Sequence, residues 1–274
     1  MTAETVLLVT ASYDVAAGYV LQALHERGAR TFRLNTDKFP SEVRVLLRPS
    51  HDIVFDDGLQ AVSGTQVKSV WYRRHVSPAL PPELDAGTRE FCERETRAFL
   101  NGLLAALPTE RWLSSPQAIT LAERKPYQLM VASQLGFAIP DTVITNDESA
   151  VREIAKRCSL VAKAVSSGYI AGQEGNRAIF TSKVKMADLN DLKGLSLAPV
   201  IFQELVGKIS DIRVTVVADE VFAAEILSQS QESSRIDWRA TDDPNLEHRK
   251  YDLPKGVANL CCELVARLGL VFGA

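Results

Sequence analysis

The sequence predicts an α/β protein built of several α+β lobes, on three observations. It opens with a strand-helix-strand pattern, its later strands carry charged residues inside apolar runs, and its 274 residues with 46% apolar content suffice for two or three separate cores. Residues 6–9 form a short apolar strand; Val20, Leu21 and Leu24 continue a helical pattern that stops at Gly28; residues 31–34 return as a strand. Residues 43–47 and 53–55 read as strands, Asp57-Gly58 as a turn and residues 67–72 as a further strand, and a helix over 83–106 closes this first lobe.

Leu107-Pro108 begins a connection. Pro126 suits the first turn of a helix, so Lys125-Pro126 starts one that runs through Leu135 and ends at Gly136, which sets Lys125 beside a positive helix terminus. Asn146-Asp147 caps a second helix over 148–158. Residues 160–165, LVAKAV, are an apolar strand interrupted by Lys163, whose ammonium must pair or reach a ligand. The following SSGYIAGQEGN, with three glycines and two serines, suits a mobile loop that brings backbone N–H groups close to phosphate oxygens.

Residues 199–206 read as a strand ending in Gln203-Glu204-Leu205-Val206, and residues 212–218 as another; a turn at Asp219-Glu220 leads into a third over 221–227. Asp211 and Arg213 are two apart and project from one face of an extended strand. There they either form an edge-strand ion pair or meet one polar ligand together. Residues 229–250 are polar and lack apolar periodicity, VANLCCELVARLG is helical in period, and residues 270–274 close the chain as a strand.

A net charge of -3 argues against a general nucleic-acid binder. No apolar run approaches the roughly 20 residues that span a bilayer. The four cysteines show no C-x-x-C spacing and the N-terminus no basic-then-apolar segment, which points to a reducing cytoplasm; Cys261-Cys262 read as packing residues of a helix. His25, His51, His75 and His248 lack ligand spacing, and neither a Walker A pattern nor G-x-G-x-x-G occurs.

A lysine on a strand, a Gly/Ser loop, a strand ending Gln-Glu-apolar-apolar and then Asp-x-Arg on the next strand resembles, in that order, the ATP-grasp ligases. Ser115-Pro116, Glu123-Arg124-Lys125-Pro126-Tyr127-Gln128-Leu129, Ile139-Pro140 with Thr145-Asn146, and Asp211-Ile212-Arg213-Val214 narrow the resemblance to the ATP-grasp maturases of microviridin-type peptides, the graspetides. Asn35-Thr36-Asp37-Lys38-Phe39-Pro40 and Val70-Trp71-Tyr72-Arg73-Arg74 fit the same group, so the similarity runs from about the first strand to the last residue.

The resemblance implies an ATP-grasp fold: a Rossmann-like pre-ATP-grasp domain over 1–107, a central subdomain over 108–198 and a C-terminal subdomain over 199–274. It implies ATP between two small sheets, with Lys125, Lys163, Ser167 and Gly168 at the phosphates, and Gln203, Glu204 and the backbone of Leu205 and Val206 at the adenine. Arg213 would stabilise the charge that develops as a carboxylate attacks the γ-phosphate, and Asp211 would orient it or bind the attacking hydroxyl or amine. Arg235, Asp237, Trp238 and Arg239, with Arg73 and Arg74, would face the precursor peptide, leader and core; each of these segments also reads as solvated surface. Magnesium is expected with ATP, but the family's metal ligands, an aspartate and a Glu-x-Asn motif, lie past Ala274. The C-terminal subdomain is therefore expected to be incomplete, as a fragment or a degenerate member, and no metal ligand is assigned.

The implied activity is an ATP-dependent ligase that activates Asp or Glu side chains of a ribosomal peptide as acyl phosphates and closes ester or amide rings. The alternatives are an amino-acid ligase sharing Lys125, Lys163, Glu204 and Arg213, and a non-catalytic peptide-binding homologue. The partner is a peptide, without nucleic acid or membrane, and a homodimer is one option for assembly.

Overall fold

The structure is a computed structural model and describes residues 4–48, 50, 52–107, 111–166, 168–170 and 177–273. It divides into two compact units, Met1–Pro116 and Gln117–Ala274.

In the first unit β1 (Thr5–Thr10), α1 (Val15–Glu26) and β2 (Arg30–Asn35) form the expected parallel strand-helix-strand unit. Asp14 caps α1 by accepting the Ala16 N–H at 3.1 Å, and Gly28 at φ 70° turns the chain beyond its end. β3 (Arg44–Arg48), β4 (Asp52–Asp56) and β5 (Ala61–Ser63) make an antiparallel sheet, and β6 (Val67–Tyr72) pairs in parallel with β1. α2 (Ala86–Ala105) starts later than residue 83 because Asp85 caps it, accepting the Thr88 N–H at 3.0 Å. Leu7, Phe32, Leu34, Phe55, Val62 and Leu103 are fully buried in one core, where the Phe32 and Phe55 rings join the two sheets at 5.8 Å between centroids.

The second unit contains α3 (Pro116–Ala122), α4 (Lys125–Gln134), β7 (Thr142–Thr145), α5 (Glu148–Ala155), β8 (Leu160–Lys163), the short pair β9 (Tyr169–Ile170) and β10 (Arg177–Ala178), and β11 (Ser182–Lys183). β12 (Val200–Glu204), β13 (Asp211–Val217), β14 (Glu220–Ile226), β15 (His248–Lys250), α6 (Lys255–Arg267) and β16 (Phe272–Gly273) complete it. Two four-stranded sheets result, in the orders β11-β8-β12-β7 and β15-β14-β13-β16. Val151, Ile154, Leu160, Leu195 and Phe202 form the core of the first; Ala122, Val131 and Leu268 form a separate cluster involving α3, α4 and the end of α6.

Four sequence expectations shift. β12 pairs with β7 and β8, so the change of sheet falls after Glu204, not at 199. The hairpin turn is Ala218-Asp219, because Val217 pairs with Glu220 and Ala218 takes φ 54°. The polar stretch 229–250 ends in β15, an edge strand whose exposed face masks alternation. α3 and β7 were not legible because runs this short show no clear period. Among the described residues no helix is long and apolar enough to cross a membrane.

Phe55→Ala should cost about 3–5 kcal/mol, as expected for truncating a buried ring. Urea unfolding followed by the fluorescence of Trp71 and Trp112, both in the first unit, would show it; an unchanged midpoint would exclude Phe55 as a central core contact.

Candidate functional site

The site is assembled from β8, β12, the chain that leaves β12, the N-terminus of α4 and the loop before β15, all in the second unit. In the β8–β12 register Lys163 lies opposite Ile201 and Gln203 opposite Val161, which makes Lys163 and Gln203 diagonal neighbours. The Lys163 ammonium donates to Gln203 Oε1 at 2.6 Å, and Gln203 Nε2 donates to Thr142 Oγ1 at 2.9 Å. Three strands are thus tied across one face by a chain of side-chain bonds. Lys125 reaches the same region from α4 and donates to the carbonyls of Ala164 at 2.6 Å and Ser166 at 2.7 Å.

A cavity of about 500 Å³ is lined by Lys125, Lys163, Gly168, Thr181, Gln203 and Arg239. A second, of about 390 Å³, shares Lys163, Thr181, Gln203 and Arg239 and adds Glu204, Leu205, Val206, Asp211 and Trp238. Burial, reinforced by Arg239, Lys125 and Lys208 and partly opposed by Asp237, holds the Lys163 ammonium below its ordinary range. Burial and then Arg239 do the same to Lys125. The first cavity is therefore a basket of cations that an anion would relieve. The second has apolar walls, including Val161, Leu205, Val206 and Trp238, with polar hinge groups at one side.

Hinge geometry is specific. Leu205 gives its N–H to the Ser159 carbonyl at 2.7 Å, so it cannot offer that donor to a ligand. Its carbonyl and the Val206 N–H are the backbone groups that remain for a flat heterocycle edge. Glu204 is half-buried, and its Oε2 lies 3.4 Å from the Asp141 N–H. Gly168 is required where it stands: its carbonyl accepts the Ile179 N–H at 2.5 Å, and a Cβ would collide with the Ile179 carbonyl oxygen.

Of the residues the sequence singles out, Lys125, Lys163, Gly168, Gln203, Glu204, Leu205, Val206 and Asp211 line these cavities. Asp237, Trp238 and Arg239 line them too, instead of forming a separate peptide-facing surface; Asp237 is buried and forks the Arg239 guanidinium at 2.8 Å on each oxygen. Arg213 is exposed on β13 and outside both walls, and the partner of Asp211 is Lys208 at 2.7 Å, not Arg213. Arg235 pairs with Glu232 at 2.6 Å outside the walls. Arg73 and Arg74 belong to the first unit, where Arg73 is held by buried Asp14 at 2.9 Å and Arg74 is exposed at φ 50°. Ser167 lies outside the described residues. Lys208 was missed, although its position three residues before Asp211 was the available signal.

Among the described residues no group of three or more His, Cys, Asp or Glu is placed to hold a metal ion. Of the three cavity-lining carboxylates, Asp211 and Asp237 are already paired with Lys208 and Arg239, and Glu204 stands at the hinge with its Oε2 toward the Asp141 N–H. These residues do not fit a magnesium site.

The family described as the MvdD pre-ATP grasp domain matches residues 5–120. The whole chain is similar to the macrocyclase MdnC of Microcystis aeruginosa MRC, solved with its precursor peptide MdnA: 35% identity and a TM-score of 0.86, covering 98% of this chain and 85% of that one. A RiPP-associated ATP-grasp ligase of Chryseobacterium gregarium, in complex with ADP and a leader and core peptide, is 27% identical with a TM-score of 0.88, over 98% of this chain and 83% of that one. The ATP-grasp ligase PsnB, complexed with a phosphomimetic variant of its minimal precursor, Mg and ADP, is 25% identical with a TM-score of 0.76, over 99% and 85%. No curated protein sequence is significantly similar.

The lowered lysines set a pH dependence. Between the lowered value of Lys163 and its unfolded value of about 10.4 the unfolded chain binds more protons, so this lysine makes stability rise with pH across that window. Lys163→Met keeps a long apolar stem without the charge and should show a smaller rise. Thermal melts of both proteins from neutral to alkaline pH provide the check, and parallel curves would show that Lys163 is not the titrating group.

Proposed function

The chain belongs to the ATP-grasp ligases that mature ribosomally made peptides, and from that membership we propose that it closes rings within a precursor peptide at the expense of ATP. The observation that carries the reading is the cation-lined cavity of Lys125, Lys163 and Arg239 adjoining the hinge at Glu204–Val206. In it Lys125, Lys163, Ser167 and Gly168 take the phosphates, and Arg239 joins them. Gln203 holds Lys163 in place. Glu204 accepts the adenine amino proton, while the Leu205 carbonyl and Val206 N–H read the base edge.

The reaction balances in two steps. A side-chain carboxylate oxygen of the peptide attacks the γ-phosphorus, the bond to the bridging oxygen breaks, and ADP leaves an acyl phosphate behind. A Ser, Thr or Lys side chain then attacks the acyl carbon, inorganic phosphate departs with the bonding pair, and the nucleophile loses its proton. Each ring removes one water from the peptide. Arg213 is assigned to the charge on the peptide carboxylate during transfer and Asp211 to the acceptor side chain, both from the same face of β13. Arg235 and Arg74, both exposed, are assigned to peptide contacts. Magnesium, present with ADP in PsnB, would neutralise phosphate charge. The described residues supply no ligand set for it, and no step is routed through it. The four free cysteines support a reducing, cytoplasmic setting.

Incubation of a version of the protein that carries the family's aspartate and Glu-x-Asn motif with ATP, magnesium and a Thr- and Glu/Asp-rich peptide from a neighbouring reading frame should give, by mass spectrometry, a product lighter by one water per ring, with one ADP released each time. Lys163→Ala should weaken ADP binding about tenfold or more, the loss of a charge-assisted hydrogen bond. Arg213→Ala should stop ring closure while leaving ADP affinity intact. A peptide heavier by an amino-acid residue would assign the chain to amino-acid ligation, and an unchanged peptide with a nucleotide-binding enzyme would defeat the ring-closing role.

A further inference from the structure

Three carboxylates stand in the wall of the hinge cavity, Glu204, Asp211 and Asp237. Asp237 is the most enclosed of the two that are ion-paired, its side chain 3% exposed against 28% for Asp211. Both its oxygens are filled. Oδ1 accepts the backbone N–H of Arg239 at 3.2 Å and its Nε–H at 2.8 Å; Oδ2 accepts an Nη2–H of Arg239 at 2.8 Å and the backbone N–H of Thr181 at 3.1 Å. A carboxylate offers about four lone-pair sites. None remains for a peptide hydroxyl or a metal ion.

We propose that Asp237 is a positioning residue, which fixes the Arg239 guanidinium at the phosphate cavity and ties the loop that carries it to the backbone at Thr181. This role rests on the nucleotide reading above. The Arg239 side chain is 60% exposed and springs from a single 3-10 turn, Trp238–Ala240, so without the fork it would be free to exchange rotamers out of the cavity. Thr181 lines both cavities and stands 56 residues away in sequence, so one buried carboxylate joins two distant segments of the wall. Burial alone would push the Asp237 carboxyl up; the hydrogen bonds from Arg239 and Thr181 outweigh it and hold the group well below the usual carboxylate range. It therefore stays ionised and keeps the fork closed. The first cavity stays net positive, its lining including the three cations Arg239, Lys163 and Lys125.

The test is calorimetric ADP binding, in magnesium-containing buffer, by the full chain and by Asp237→Asn, Arg239→Lys and the double variant. Asparagine keeps the volume but turns an amide NH₂ toward an N–H donor; lysine keeps the charge but cannot fork. Each single variant should bind ADP about fivefold more weakly or worse, in keeping with the loss of a forked charge-assisted pair. The double variant should be no weaker than the weaker single, because both changes break one device. A residue that merely stabilised the fold would lose the same factor in either background, so multiplied losses overturn the proposal, as does either single variant binding like the unsubstituted chain. Should Asp237→Asn fail to fold, Arg239→Lys decides alone between fork and charge. Absence of ADP binding by the unsubstituted chain removes the nucleotide reading and this role with it, whereas tight binding with multiplied losses removes the positioning role only.

Discussion

The second unit is organised around the burial of one ammonium among others of the same sign. Lys163 sits on a strand whose preceding residues, Leu160 and Val161, are core, and Arg239, Lys125 and Lys208 all raise the cost of its charge. Its hydrogen-bond partner is an amide, Gln203, and not a carboxylate. A carboxylate there would neutralise the lysine and remove its attraction for a ligand. The amide satisfies an N–H while leaving the positive charge available, and Thr142 keeps the amide oriented. The site is held in a state that an entering polyanion improves.

The fold makes that state affordable by distributing the anchors. Lys163 is fixed from within its own sheet, Lys125 by two carbonyls at the root of the Gly/Ser loop, and Arg239 by a carboxylate on its own loop. Each cation is therefore tied to a different chain segment, and the cavity between them requires no direct contact of like charges. Lys125 has the most exchangeable partners, since backbone carbonyls bind an ammonium without neutralising it. Gly168 supports the arrangement from the loop, where only the absence of a side chain lets its backbone lie against Ile179.

The first unit handles charge in the opposite way. Arg73 is matched by Asp14, which is nearly inaccessible; burial pushes that carboxyl up, but the Thr10 hydroxyl and Arg73 outweigh it and keep it lowered. That pair closes the carboxyl ends of parallel strands and leaves Arg74 as the exposed member of the basic pair. One arginine thus serves the fold, and its neighbour in sequence faces outward.

Much of this was legible in the chain itself. The alternation of apolar strands and capped helices fixes the α/β class, Pro126 and Gly136 bound α4, and a lysine inside an apolar strand demands a partner whatever the fold. Local chemistry of this kind needs no knowledge of distant residues. Tertiary structure alone decided which partner each charge found. Asp211 turned to Lys208 instead of Arg213, Arg239 entered the cation-lined cavity and Asp237 became its buried anchor, and Leu205 gave its N–H to Ser159. The physical reason is that strand periodicity fixes only the face from which a side chain leaves, while its partner depends on the path of the local turn, as for Asp211 with Lys208, or on segments tens of residues apart, as for Leu205 with Ser159 and Asp237 with Thr181. The sequence could determine that these charges required satisfaction; only the register of β8 on β12 and the path of the loop before β15 determined by what.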